Sequence, residues 1–168
     1  MVVKILIFNL FLILISLSTV SSSKTILGKA KVIDGDTIIL DKKKIRFSGI
    51  DAPESFFKGK KQTCKFESQK IFCGEISKKK LTQKIDNQIV KCFIEKNNDR
   101  YNRILAECFV NNESLSVYMV KNGYAFDYAK YSKKKYQEYE NFAKKINLDY
   151  GKLNLNIHGY GEKKTDKL

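Results

Sequence analysis

Hydrophobic and polar positions change their rhythm along this chain. Residues 29–33 and 36–41 are rich in Val and Ile, "DKKK" at 41–44 is a polar break, and "IRFSGI" at 45–50 runs extended again. Two β-branched runs about a polar break predict a β-hairpin. Centred near Lys43, that hairpin sets residue 36 opposite residue 50, so Asp36 and Asp51 meet at its open end. Arg46 then lies on the second strand, between the aspartates and the turn. Residues 74–86 predict a helix with Ile76, Lys80 and Ile85 along a mixed face. Two further strands, 88–94 and 103–110, flank the polar loop "EKNNDRYN". "SLSVYMVKNG" reads as a helix that Asn122-Gly123 stops. "YAFDYAKY" fits a strand or an extended loop, and Tyr136, Tyr139, Ala143 and Ile146 recur at helical spacing within 133–146, a stripe expected to face the core.

The first residues break this pattern. Lys4 precedes an apolar run from Ile5 to Ile15, interrupted only by Asn9, and "SLSTVSSSK" comes next. A basic start, a short apolar core and small residues predict a secretory signal peptide over residues 1–23. The run is short for a membrane span, so no stable span is expected once the signal is removed. The expected location is secreted or periplasmic; the alternative is a chain tethered to the membrane by an uncleaved N-terminal segment. Residues 24–158 suit one domain with one core, acting as a monomer. The last residues, "GYGEKKTDKL" at 159–168, read as a polar tail.

Charge narrows the partners. The 168 residues hold 32 Lys and Arg against 18 Asp and Glu, a formal net charge of +14. Such an excess serves solubility, and it also suits a polyanion, nucleic acid first and an anionic envelope surface second. The four cysteines, Cys64, Cys73, Cys92 and Cys108, form no C-x-x-C pair, and His158 is the only histidine. In an exported chain that favours disulfides over a zinc site. Three pairings are open, and proximity favours Cys64 with Cys73 and Cys92 with Cys108, the latter on neighbouring strands.

Three short stretches carry the candidate chemistry. "VIDGDTIIL" at 32–40 sets Asp34 and Asp36 about a glycine, which alone is an ordinary turn. Further along lie "RFSGIDAPE" at 46–54 and "DRYNR" at 99–103. Together they let three carboxylates and two arginines converge at strand ends. A phosphodiester is anionic, so hard oxygen ligands that hold a cation, a carboxylate that accepts a proton and guanidinium forks that match phosphate oxygens form a coherent set. An isolated Arg–Glu pair would be a surface salt bridge. With one histidine, a paired-histidine ribonuclease and a His-based metal-finger nuclease are both excluded.

In these residues the chain resembles the staphylococcal nuclease (thermonuclease) family, whose D-G-D-T, R-x4-D-x-P-E and D-[KR]-Y-x-R motifs occur here in order. The resemblance spans about residues 26–158. It implies an α+β fold, mainly β: an OB-fold five-stranded Greek-key barrel carrying three helices. It also implies Ca2+ bound by Asp36, Asp51 and the backbone carbonyl of Ala52. Glu54, Arg46 and Arg103 match the catalytic positions, while Arg100, Tyr101 and Tyr131 fall near positions that contact substrate. Asp34 is expected to support the turn. The implied reaction is hydrolysis of DNA and/or RNA by water, leaving a 3′-phosphate. Two departures stand out: no Trp occurs, with His158 near where the family often has one, and the loop "FFKGKKQTCKFESQKIFC" carries two cysteines. The competing readings are a non-catalytic OB-fold module that binds nucleic acid and a cationic envelope-binding protein. The joint presence of Arg46, Glu54 and Arg103 favours the enzyme.

Overall fold

The computed structural model describes residues 24–56, 59–66 and 69–150. The signal segment 1–23, the domain limit at 158 with His158, and the tail 159–168 lie outside the described residues. Strand β1 (Thr25–Asp34) leads into β2 (Thr37–Leu40) and β3 (Lys43–Phe47), each pairing antiparallel with the last. Strand β1 also pairs with β7 (Ile89–Asn98), and β7 with β8 (Ile104–Val110). A parallel pairing of β3 with β8 closes the ring. The result is a closed five-stranded OB-type barrel, an arrangement that leaves no long open edge. Its interior is filled by alternate residues of β2, β3, β7 and β8: Ile38, Leu40, Ile45, Phe47, Val90, Cys92, Ala106 and Cys108 are all fully buried.

The β2–β3 hairpin corrects the expected register. Asp41 and Lys42 both take left-handed conformations (φ 50° and 58°), making a two-residue turn of the kind that matches strand twist. Thr37 therefore faces Arg46 and Leu40 faces Lys43. Residue 36 does not lie opposite residue 50; instead the Phe47 amide donates to the Asp36 carbonyl (2.8 Å). Lys43 and Lys44 belong to the strand, where their exposed side chains made them look like turn. Asp51 leaves the hairpin altogether. It sits on β4 (Ile50–Asp51), which pairs with β10 (Phe126–Asp127).

Helix α1 (Cys73–Ile85) comes after the short hairpin of β5 (Cys64–Phe66) and β6 (Gln69–Ile71). Its inner face is Cys73, Gly74, Ser77, Leu81 and Ile85, so Ile76 and Lys80 lie at the margin of the stripe, not along it. After β8 come β9 (Glu113–Ser114) and α2 (Leu115–Lys121), whose start is capped by Ser114 Oγ accepting from the Val117 amide (3.2 Å). "YAFDYAKY" divides into β10 and a single helical turn, α3 (Ala129–Ser132), ahead of α4 (Gln137–Tyr150). Of the expected stripe, Tyr136 and Ala143 are buried, while Tyr139 turns outward. Both locally favoured disulfides form. Cys92 and Cys108 face each other across β7 and β8 inside the barrel, and Cys64 joins β5 to the first residue of α1. Among the described residues no helix is long and apolar enough to cross a membrane.

Glu107, on the outer side of β8, fastens the C-terminal elements to the barrel. Its carboxylate accepts from Ser114 Oγ (2.5 Å), Tyr136 Oη (2.7 Å) and Lys135 Nζ. Burial opposes its charge, but these donors hold its carboxyl below the ordinary 4.5. A depressed folded-state value makes the contribution present above the unfolded value and lost as pH falls through the folded one. Glu107→Gln is expected to cost about 1–2 kcal/mol at neutral pH. In urea unfolding followed against pH, that difference should shrink progressively below about pH 4.5. A gap that stays constant into strong acid contradicts the ionic role.

Candidate active site

A buried guanidinium organises the open end of the barrel. Asp36 lies in the turn between β1 and β2, is fully buried and uses both oxygens: Oδ1 accepts from Thr37 Oγ1 (2.8 Å), and Oδ2 from the Ala52 amide (2.8 Å). Arg46, on β3, places Nη1 2.7 Å from Asp36 Oδ1 and Nη2 2.5 Å from Asp51 Oδ1. Nη2 also donates to the Ile50 carbonyl (3.3 Å). Burial works against the Arg46 charge, and Asp36 and Asp51 more than offset it, so the guanidinium titrates above its ordinary value. Complete burial pushes the Asp36 carboxyl up, against the pull of Arg46. Asp36, Arg46, Asp51 and Ala52 are thus brought together by β2, β3 and β4, with the Asp51 strand held by Phe126 of β10.

Glu54 stands beside this group. Burial, then the negative charges of Asp36 and Asp34, push its carboxyl up to about 7, and Arg46 draws it the other way. Asp34 does more than support a turn: its Oδ1 accepts from the Ser55 amide (2.9 Å) and the Ser55 hydroxyl (2.5 Å), fixing the residue after Glu54. The Glu54 amide donates to Gln62 Oε1 (2.7 Å), a partner that no sequence signal marks. Helix α1 closes on this segment from behind. A Cβ on Gly74 would fall 1.9 Å from the Glu54 carbonyl oxygen, and one on Gly35 would fall 1.8 Å from Ser77 Oγ. Only hydrogen fits at either point.

The remaining site residues form separate groups. Arg103, just before β8, is held within its own loop: its amide donates to Asp99 Oδ1 (2.8 Å) and its Nε to Asp99 Oδ2 (2.7 Å). Burial disfavours the Asp99 charge, but the hydrogen bonds and charge of Arg103, with the Tyr101 amide, together keep its carboxyl below the ordinary value. Tyr101 is 64% exposed, with the Arg100 and Arg103 guanidinium carbons 4.8 and 5.4 Å from its ring centroid. Tyr131, equally open on α3, packs edge-on against Tyr128 (4.7 Å between ring centroids). The Tyr128 amide donates to the Gly49 carbonyl (2.9 Å), so α3 rests on the turn that carries the chain from Arg46 to Asp51.

Oxygen donors dominate the Arg46 group: Asp36, Asp51, Glu54, Asp34 and the Ala52 backbone. Among the described residues, no cluster of three or more His, Cys, Asp or Glu side chains is gathered tightly enough to hold a metal by itself. Carboxylate oxygens carry two lone pairs each, so bonds to Arg46 and to the Ala52 amide do not exhaust their capacity. Asp36, Asp51 and Glu54 all act on the single Arg46 guanidinium, so carboxylates outnumber the cation they surround. The donor set is therefore of the kind that suits a hard divalent cation completed by further oxygen ligands.

The molecule is thus a closed OB-type barrel with acidic and guanidinium groups gathered at one end of its strands. The staphylococcal nuclease homologue family matches residues 44–149, and the chain belongs to that family. An uncharacterized endonuclease of Haemophilus influenzae is 34% identical over 134 residues, covering 77% of this chain and 67% of that protein. A thermonuclease of Staphylococcus intermedius is 33% identical over 100 residues, 56% of this chain and 55% of its own. Succinoglycan biosynthesis protein ExoI of Rhizobium meliloti is 28% identical over 109 residues, 63% of this chain and 54% of its own. The chain thus spans about two thirds of the first relative and little more than half of the other two. Family membership gives a hydrolytic, nucleic-acid-related function.

The close approach at Gly74 has a measurable consequence. Gly74→Ala forces α1 away from the Glu54 peptide, because the obstructing atoms are backbone and cannot rotate aside. The expected loss is about 1–3 kcal/mol in denaturant unfolding, with reduced cleavage of nucleic acid. A variant as stable and active as the wild type would contradict this packing.

Proposed function

We propose that this protein is an exported, calcium-dependent nuclease that hydrolyses phosphodiester bonds of DNA and/or RNA and leaves 3′-phosphate products. The observation that carries the reading is the Arg46 guanidinium joining Asp36 and Asp51, with the Glu54 carboxyl close enough to feel both Arg46 and Asp36. Asp36, Asp51 and the Ala52 carbonyl would hold the calcium, which when bound supplies positive charge against the phosphate. Glu54 orients a water and accepts its proton; a carboxyl near neutrality takes and returns a proton readily. Arg46 and Arg103 present planar donor forks to phosphate oxygens, where negative charge gathers in the transition state. Tyr101, Tyr131 and Arg100 offer exposed rings and charge for bases and backbone, the usual combination for holding a strand. Water as nucleophile needs no 2′-hydroxyl, which accommodates both nucleic acids. Two disulfides that use all four cysteines support an oxidising compartment, consistent with export and with the apolar segment after Lys4.

Purified variants that melt like the wild type test this on single-stranded DNA. Glu54→Gln keeps the size but cannot take a proton, and turnover should fall by about 10²–10⁴-fold. Arg46→Lys keeps charge without the fork and should not restore activity. Asp51→Asn should raise the calcium concentration needed for half-maximal cleavage. Wild-type rates from both Glu54→Gln and Arg46→Lys would place the active site elsewhere.

A further inference from the structure

The cysteine-bearing loop reaches the site through a residue that none of the motifs contains. Gln62 lies eight positions after Glu54, and its Oε1 accepts from the Glu54 amide at 2.7 Å. The loop around it is pinned to the start of α1 at three points. Cys64 is bonded to Cys73, the first residue of that helix. The Cys73 sulfur lies 3.9 Å from the Gln62 carbonyl oxygen. Lys61 Nζ sits 2.7 Å from Glu75 Oε1 and 5.3 Å from the Phe72 ring centre. On the other side of the same peptide, Gly74 of α1 presses against the Glu54 carbonyl.

Glu54 is therefore gripped by its backbone from both sides, and both grips refer back to the N-terminus of α1. Holding the N–H and C=O of Glu54 fixes its Cα–Cβ vector, and with it the set of staggered positions from which the carboxyl can reach the Arg46 group. We propose that Gln62, locked by the Cys64–Cys73 bridge, is a positioning residue for Glu54: the disulfide holds the carboxyl in register with the Arg46 group. This rests on the reading of Glu54 as the proton acceptor. Asp34 secures Ser55 independently, so losing Gln62 loosens Glu54 without releasing the segment after it. Arg46, Asp36 and Asp51 make no use of Gln62, so substrate binding stays as it was.

The test uses the full chain with Gln62→Met, with Cys64→Ser/Cys73→Ser and with the three changes combined. Gln62→Asn, as polar but one methylene short of the amide, serves as a second probe. Kinetics on single-stranded DNA with calcium, thermal melting and hydrogen exchange at the Glu54 amide are read together. Gln62→Met and Gln62→Asn should lower kcat about 10–100-fold, as small misplacements of reacting groups do. KM should stay within about threefold, since only the transition state feels the change. The Glu54 amide should exchange faster in every variant. Because the bridge and Gln62 act through one contact, the triple variant should lose no more than the worse of its parents. Unchanged kcat in both Gln62 variants, unchanged exchange at the Glu54 amide, or losses that add in the triple variant would each overturn the proposal. Failure of the catalytic reading shows differently, as full activity in Glu54→Gln, while the amide exchange still reports whether Gln62 holds that peptide.

Discussion

The ion pairs of Arg46 are the constraint on which the rest of the site depends. Its side chain is 11% exposed and Asp36 is 1% exposed, so both charges have left water. Each such transfer costs several kcal/mol after relaxation, and only close, well-hydrogen-bonded partners offset it. Asp36 meets that demand with the Thr37 hydroxyl and the Ala52 amide, Arg46 with Asp51 and the Ile50 carbonyl. Thr37 is the neighbour of Asp36, and Ile50 and Asp51 follow Arg46 by four and five positions, whereas the Ala52 amide reaches Asp36 from sixteen positions away. These contacts exist because the barrel brings β2, β3 and β4 to one end, and a one-residue slip of β3 against β2 and β8 would turn Arg46 to the other face.

A second layer of constraint comes from α1. By setting Ser77 against Gly35 and its own Gly74 against the Glu54 carbonyl, with no room for a Cβ at either glycine, the helix presses both acidic segments, Asp34–Asp36 and Glu54–Ser55, into one volume. Ser77 completes the seat by donating to the Tyr124 carbonyl (2.8 Å). Burial first, and the neighbouring charges of Asp36 and Asp34 after it, raise the Glu54 carboxyl to about 7. A fold selected for stability alone would disperse those charges; keeping them together is the kind of local violation that marks a functional site.

Much of this was legible in the residues. Strands and helices declared themselves by apolar rhythm and by stops such as Asn122-Gly123, and the cysteines by their proximity. The D-G-D-T and R-x4-D-x-P-E motifs pointed to the residues that meet. Other features depend on geometry that pattern does not encode. A polar run of four residues cannot show that only Asp41 and Lys42 form the turn, so the hairpin register was displaced. Ile76, Lys80 and Ile85 outlined a mixed face of α1 by spacing, but the helix is oriented by the tight contacts of Gly74 and Ser77, and of the three only Ile85 is buried. Gln62 is one glutamine in a lysine-rich loop, with nothing to distinguish it until the disulfide folds that loop back onto Glu54. Asp34 read as a turn residue because its partner, Ser55, lies twenty-one positions away.

The central claim is that the Arg46 group receives the phosphodiester. A crystal structure with calcium and a short DNA strand carrying a non-hydrolysable phosphorothioate linkage measures this directly. The expected result is calcium on the oxygens of Asp36, Asp51 and the Ala52 carbonyl, one phosphate against Arg46, and Glu54 within hydrogen-bonding reach of a water in line with it. A strand bound elsewhere on the basic surface, with the Arg46–Asp36–Asp51 pairs empty of both metal and phosphate, would contradict it.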